Sequence, residues 1–140
     1  MRIYLDACSI IYLMEAASPF HEAASRRVSE LLLDEGASLI TSRLSRLECR
    51  VLPLRGGDVK LLEQYELFFS RRRVAVAEIS SEVIERATEL RALHEFRTPD
   101  AIHLATALAE NAGVFVTGDK AFSRFEGIRV ELLTEPNPQS

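Results

Sequence analysis

Five short apolar runs alternate along the 140-residue chain with longer segments whose apolar residues recur every three or four positions. The runs Ile3-Tyr4-Leu5, Ser38-Leu39-Ile40-Thr41, Val74 to Ile79, Val114 to Thr117 and Ile128 to Leu133 are β-rich and too short for helices, so they read as strands. Helical segments are expected over 8–16 and 20–35, the second started by Ser18-Pro19 and stopped by Gly36. Ser42 caps a helix to about Val51, which Pro53 and Gly56-Gly57 interrupt. Asp58 caps a segment carrying Leu61, Leu62, Tyr65, Phe68 and Phe69, and Ser80 or Ser81 one carrying Val83, Ile84, Ala87, Leu90 and Leu93. A last helix runs from Thr98-Pro99 to Asn111. Strands separated by helices pair in parallel through right-handed crossovers. The expected fold is therefore α/β, a single domain over 1–135 with a central parallel sheet of about five strands flanked by helices and a frayed tail over 136–140.

Composition removes several alternatives. With 47% hydrophobic and 27% charged residues the chain is too apolar to be disordered. Its apolar runs fall far short of the roughly 20 residues that cross a bilayer, so no membrane partner is expected. The start, Met1-Arg2-Ile3-Tyr4-Leu5-Asp6, is unlike a secretory signal. Cys8 and Cys49 lack paired spacing, as do His21, His94 and His103. This argues against disulfides and zinc, and for a cytoplasmic location. The net charge is −4 and a polybasic tail is absent, yet all basic residues but Lys60 and Lys120 are Arg, the side chain suited to forked phosphate contacts.

Four acids occupy telling places. Asp6 ends the first strand, and Asp119 follows the fourth. Asp100 lies in the first turn of the Thr98-Pro99 helix, and Glu48 within the helix after the second strand. Taken singly, each has an ordinary explanation. Asp100 complements a helix dipole for about 0.3–1 kcal/mol; Asp119 caps a turn; Glu48 is one of many solvated glutamates. Asp6 is the exception, since an acid closing an apolar strand costs stability unless something pairs with it. Brought together at the carboxyl ends of the strands, all four would repel one another until a cation intervened. All-oxygen ligation suits Mg²⁺ or Mn²⁺, which activates water and stabilises a leaving oxygen at phosphorus.

Four local patterns resemble those of PIN-domain ribonucleases, and within them the VapC-type toxins of toxin–antitoxin systems. They are Ile3-Tyr4-Leu5-Asp6-Ala7-Cys8-Ser9-Ile10-Ile11-Tyr12-Leu13, Ser42-Arg43-Leu44-Ser45-Arg46-Leu47-Glu48, Thr98-Pro99-Asp100-Ala101-Ile102-His103-Leu104-Ala105-Thr106-Ala107 and Val116-Thr117-Gly118-Asp119-Lys120-Ala121-Phe122. In this order they cover nearly the whole chain. The resemblance implies a metal-dependent endoribonuclease in which Asp6, Glu48, Asp100 and Asp119 bind Mg²⁺ or Mn²⁺ and act on an RNA phosphodiester. It also implies a homodimer silenced by a small antitoxin that inserts a segment into the acidic groove. Hydroxyl support is implied near the first acid and from Thr117. Many relatives carry Ser, Thr or Asn where this chain has Cys8, so Ser9 is the expected substitute.

Secondary features carry two readings each. His103 shares a helix face with Asp100 and either supports the site or is a buried, satisfied ring. Arg43, Arg46 and Arg50 form a stripe that holds RNA phosphates or antitoxin acids, or is merely solvated, and Lys120 reaches a phosphate or occupies a turn. Leu31-Leu32-Leu33 and the Tyr65, Leu67, Phe68, Phe69 group exceed one core stripe, and serve either the core or a partner. Two functional alternatives stand beside the nuclease: a non-catalytic RNA- or protein-binding PIN-like module, and a receiver-like signalling domain.

Overall fold

The computed structural model describes residues 1–133; the tail expected over 136–140 lies outside the described residues. The elements are β1 (Arg2–Leu5), α1 (Ala7–Met14), α2 (His21–Leu31), β2 (Ser38–Ser42), α3 (Arg43–Gly56), α4 (Val59–Phe69), β3 (Val74–Ala77), α5 (Ser81–His94), α6 (Thr98–Ala109), β4 (Val114–Thr117) and β5 (Val130–Leu132), with a 3₁₀ turn over Lys120–Arg124 before β5. All five strands are parallel, in the order β3-β2-β1-β4-β5. The order departs from the 2-1-3-4-5 sheet of receiver domains, which removes that alternative.

Side chains alternate across the sheet, as the pleat requires. Ile3, Leu5, Leu39, Val114 and Val116 face one layer, where they meet Ile10, Val28, Tyr65 and Phe68 of α1, α2 and α4. Tyr4, Ile40 and Phe115 face the other, against Val83, Leu90, Ala101 and Leu104 of α5 and α6. Both faces of the central strands are thus covered, which is why they read as near-continuous apolar runs.

Several boundaries differ from those expected, each for a local reason. The Ser18 hydroxyl accepts from the Phe20 N–H at 3.2 Å and so caps a turn; α2 begins at His21. The chain leaves α2 at Leu31 through tight turns to Gly36, whose φ is 79°. α3 runs through Pro53 to Gly56, although proline lacks the N–H that would reach the Cys49 carbonyl. Pro53 is buried, so packing outweighs the missing bond, and Gly57 (φ 68°) closes the helix in the left-handed region. β3 stops at Ala77 because its ladder partner Ser42 turns away to cap α3, accepting from the Leu44 N–H at 3.1 Å. Ser80, not Ser81, caps α5.

Candidate active site at the carboxyl edge of the sheet

The chain leaves β1 toward β2 on one side, while β4 pairs with β1 on the other. Such a switch in direction opens a crevice beyond the carboxyl ends of the two strands. Asp6 stands there. It is also the N-cap of α1, with extended backbone, and its Oδ1 accepts from the Ser9 N–H at 2.9 Å. The Ser9 hydroxyl lies 2.9 Å from the same oxygen, and the Thr117 hydroxyl donates to Oδ2. Asp6 is 4% exposed. Burial raises its pKa, against the opposing pull of His103, Thr117 and Ser9. Ser9 thus sets both its N–H and its hydroxyl against the Asp6 carboxyl.

Asp119 arrives from β4. Its N–H donates to Thr117 Oγ1 at 3.0 Å, and its Oδ1 accepts from the Ala121 N–H at 2.9 Å, so it caps the 3₁₀ turn as well. The preceding Gly118 lies close under Tyr12: a Cβ there would stand 2.5 Å from the ring, which would have to shift. Lys120 follows in an exposed position.

α6 brings Asp100 to the same edge. The Gly113 N–H bonds the Arg2 carbonyl at 2.8 Å and Arg2 pairs with Glu110, so α6 ends at the amino edge of the sheet. Its length of about 18 Å carries the first turn back to the carboxyl edge. The Asp100 carboxyl, 14% exposed, lies 3.6 Å from Arg97. Desolvation raises its pKa, Arg97 partly offsets this, and Asp119 raises it further.

Glu48 projects from α3 and accepts from His103 Nε2 at 2.6 Å, while the other ring nitrogen of His103 lies 2.7 Å from the Tyr4 hydroxyl. His103 is 3% exposed and also bears on Asp6 electrostatically. Thus His103 is buried and joins Glu48 to Tyr4. Tyr4 escaped the sequence reading. Its signal was a phenol within an otherwise aliphatic strand, where the hydroxyl must find a buried partner.

The arginine stripe is engaged within the chain. Arg43 pairs with Glu78, and Arg46 and Arg50 both pair with Glu66 of α4. The Arg46 guanidinium also lies 5.2 Å from the Phe69 ring centroid. Of the suspected surplus apolar face, Tyr65, Phe68, Phe69 and Leu31 are core, whereas Leu33 and Leu67 are exposed, at 83% and 68%. Burial raises the thiol pKa of both Cys8 and Cys49.

Among the described residues, no three His, Cys, Asp or Glu side chains converge as a ready-made metal cage. The donor set still fits a hard divalent ion. Mg²⁺ keeps several of its waters and needs only one or two direct carboxylates. Here a buried Asp6 and a largely desolvated Asp100, with Asp119, offer oxygen alone. Zinc would seek nitrogen or sulfur, and the only imidazole touching the set already bonds Tyr4 and Glu48.

The sheet order and the layers of helices on its two faces define an α/β domain with acids at its carboxyl edge. The chain belongs to the PIN domain family, which it matches over residues 3–128. Three solved structures show the same fold. They are VapBC2 from Rickettsia felis bound to a DNA fragment from its promoter (18% identity, 96% of this chain and 100% of that one, TM-score 0.78), a toxin–antitoxin complex from Klebsiella pneumoniae (20%, 96% and 99%, 0.73), and Mycobacterium tuberculosis VapC20, a Sarcin-Ricin loop cleaving toxin (20%, 91% and 98%, 0.72). No curated protein matches the chain. No helix among the described residues is long and apolar enough to cross a membrane.

Proposed function

We propose that the protein is a metal-dependent endoribonuclease and the toxin of a type II toxin–antitoxin pair. The observation that carries this reading is the buried Asp6 carboxylate, held by Ser9 and Thr117 at the switch point of a PIN-domain sheet. Asp6, Asp100 and Asp119 would hold Mg²⁺ or Mn²⁺, with Glu48 as a further ligand or a water-orienting group. The ion supplies a Lewis acid for the scissile phosphate and a lowered pKa for the attacking water. The chain does the rest. Thr117 and Ser9 fix the Asp6 oxygens, and Thr117 ties Asp119 to the same hydroxyl. Cleavage then proceeds by water attack without a covalent protein intermediate.

The toxin reading draws on the three structural neighbours, two of which are toxin–antitoxin complexes and the third a toxin. Leu47, Val51 and Leu54 of α3, with Leu62 of α4, line a groove of about 450 Å³. The same helix carries Glu48, so an amphipathic antitoxin segment in this groove would lead toward the acids. We place the protein in the cytoplasm as a homodimer, on its cysteine usage and its family.

Purified protein is expected to cleave RNA with Mn²⁺ or Mg²⁺, and EDTA to abolish it. Cleavage persisting at full rate in Asp6→Asn would overturn the mechanism. Expression is expected to arrest growth unless the antitoxin is supplied. Normal growth with active protein present would remove the toxin role and leave the nuclease. RNA bound but never cleaved by wild-type protein, with metal present, would favour the binding-module alternative.

A further inference from the structure

We propose that Tyr4 and His103 form a buried positioning relay that fixes the orientation of the Glu48 carboxylate. The inference rests on the nuclease reading for its purpose, but concerns a contact that reading does not require. Tyr4 lies in the central strand β1, is fully buried, and has its ring stacked on Phe115 at 5.1 Å between centroids. Its hydroxyl cannot shift without moving the sheet. It stands 2.7 Å from His103 Nδ1, and His103 Nε2 stands 2.6 Å from Glu48 Oε1. Three side chains from β1, α6 and α3 thus form one line from the core to the half-exposed Glu48.

The protons in this line can be counted. A tyrosine phenol ionises only near about pH 10, so at neutral pH Tyr4 keeps its proton. Donated to Nδ1, that proton leaves a neutral imidazole with its own hydrogen on Nε2, aimed at Glu48. A protonated imidazole presents the same Nε2–H. Both forms therefore donate to Glu48 Oε1, which leaves Oε2 for a ligand or water. Without the Tyr4 hydroxyl, Nδ1 loses its partner and the ring is held only through Glu48 itself, so neither the ring nor the carboxylate keeps a fixed direction. Hydrogen-bond partners of ligating groups act in this way, fixing tautomer and direction. Tyr4 and His103 are positioning residues; neither need touch RNA.

The test uses the full chain, with ¹⁵N spectra of the imidazoles, Mn²⁺ titration by electron paramagnetic resonance, and cleavage kinetics. The relay requires His103 to carry hydrogen on Nε2 in the wild type. Tyr4→Phe, which removes one oxygen, is expected to weaken Mn²⁺ binding about 10-fold and to lower kcat with KM unchanged. In a Glu48→Gln background the same change is expected to alter Mn²⁺ affinity by less than about 2-fold, because the two sites act as one. His103→Gln, which keeps an N–H donor, should retain more affinity than His103→Ala, and serves in place of Tyr4→Phe if that variant does not fold. A folded Tyr4→Phe with wild-type Mn²⁺ affinity, or equal losses in both backgrounds, would overturn the relay. Wild-type protein that neither binds Mn²⁺ nor cleaves RNA would instead remove the nuclease reading. The imidazole spectrum then decides the relay alone: hydrogen on Nε2 in the wild type, with the Nδ1 resonance displaced in Tyr4→Phe, sustains it, and hydrogen on Nδ1 only in the wild type, or an Nδ1 resonance unmoved in Tyr4→Phe, overturns it.

Discussion

The hydroxyl of Thr117, the last residue of β4, donates to Oδ2 of Asp6, the first residue beyond β1, while accepting from the backbone N–H of Asp119. One side chain thus couples two acids 113 positions apart in the chain. Thr117→Val keeps the shape and removes the bond. A hydrogen bond to a charged group contributes about 1.5–3 kcal/mol, and the variant is expected to lose a similar amount, read by denaturant unfolding. Mn²⁺ affinity should fall about 10–100-fold, because an outer partner of the Asp6 carboxylate is gone.

The raised pKa values of Asp6 and Asp100 set the sign of a pH dependence. Each group binds its proton more readily folded than unfolded. Protonation thus favours the fold below the unfolded carboxylate pKa, and that advantage is lost as pH rises through the folded value. Metal-free protein is therefore expected to melt higher at mildly acidic pH than at pH 7 as far as these two groups decide it. Asp100→Asn should raise the melting temperature of metal-free protein at pH 7 by a few degrees. It should also lower RNA cleavage by about 100-fold or more, the several kcal/mol of charge stabilisation an ion supplies.

Metal should stabilise the fold by mass action. At 100 times its Kd, Mn²⁺ is expected to add about 2.7 kcal/mol, or about 8 °C in melting temperature for a chain of this size. The shift should vanish in Asp6→Asn and shrink as pH falls, since protons and metal compete for the same oxygens. A shift of equal size with Ca²⁺ or Zn²⁺ would argue against a site selective for small, hard ions.

Arg43, Arg50 and Lys120 are suited to test RNA contact. Arg43 and Glu78 are both exposed, so Arg43→Ala should change stability by less than about 1 kcal/mol. Each of the three that neutralises a phosphate should lower the salt slope of RNA binding by about 0.7 when replaced by alanine. An unchanged slope assigns that residue to the protein's own ion pairs. Arg46 is a poorer probe, because its side chain is only 19% exposed with its guanidinium over the Phe69 ring, and its loss would disturb packing.

Gly118→Ala brings a methyl group within 2.5 Å of the Tyr12 ring, itself stacked on Phe20 at 4.4 Å. The clash is expected to cost about 1–3 kcal/mol by thermal unfolding. In a Tyr12→Ala background the same change should cost much less, which would show that the cost lies in that contact and not in the backbone of the turn.

The order of strands and helices was legible in the sequence because short β-rich runs and helix-period segments obey local rules. So were the caps at Ser42 and Asp58, where a side-chain oxygen reaches its own helix. The positions of Asp6 and Asp119 at strand ends were legible too, since parallel strands point one way. Pro53 was misread as a stop because proline's local cost is visible in sequence, whereas the burial that offsets it is not. The end of β3 depended on its neighbour Ser42 leaving the sheet, a pairing no window of sequence contains. The decisive case is His103. Sequence placed it on the face of Asp100 and could not choose between a core ring and a site residue. Only the packing of α6 against β1 and α3 set its two nitrogens on Tyr4 and Glu48, partners 99 and 55 positions away. Sequence by itself determined which residues are acidic and on which elements they ride; the tertiary structure decided which of them share a charge, because electrostatic coupling and hydrogen bonding fall off within a few ångströms and the chain reaches those distances only once folded.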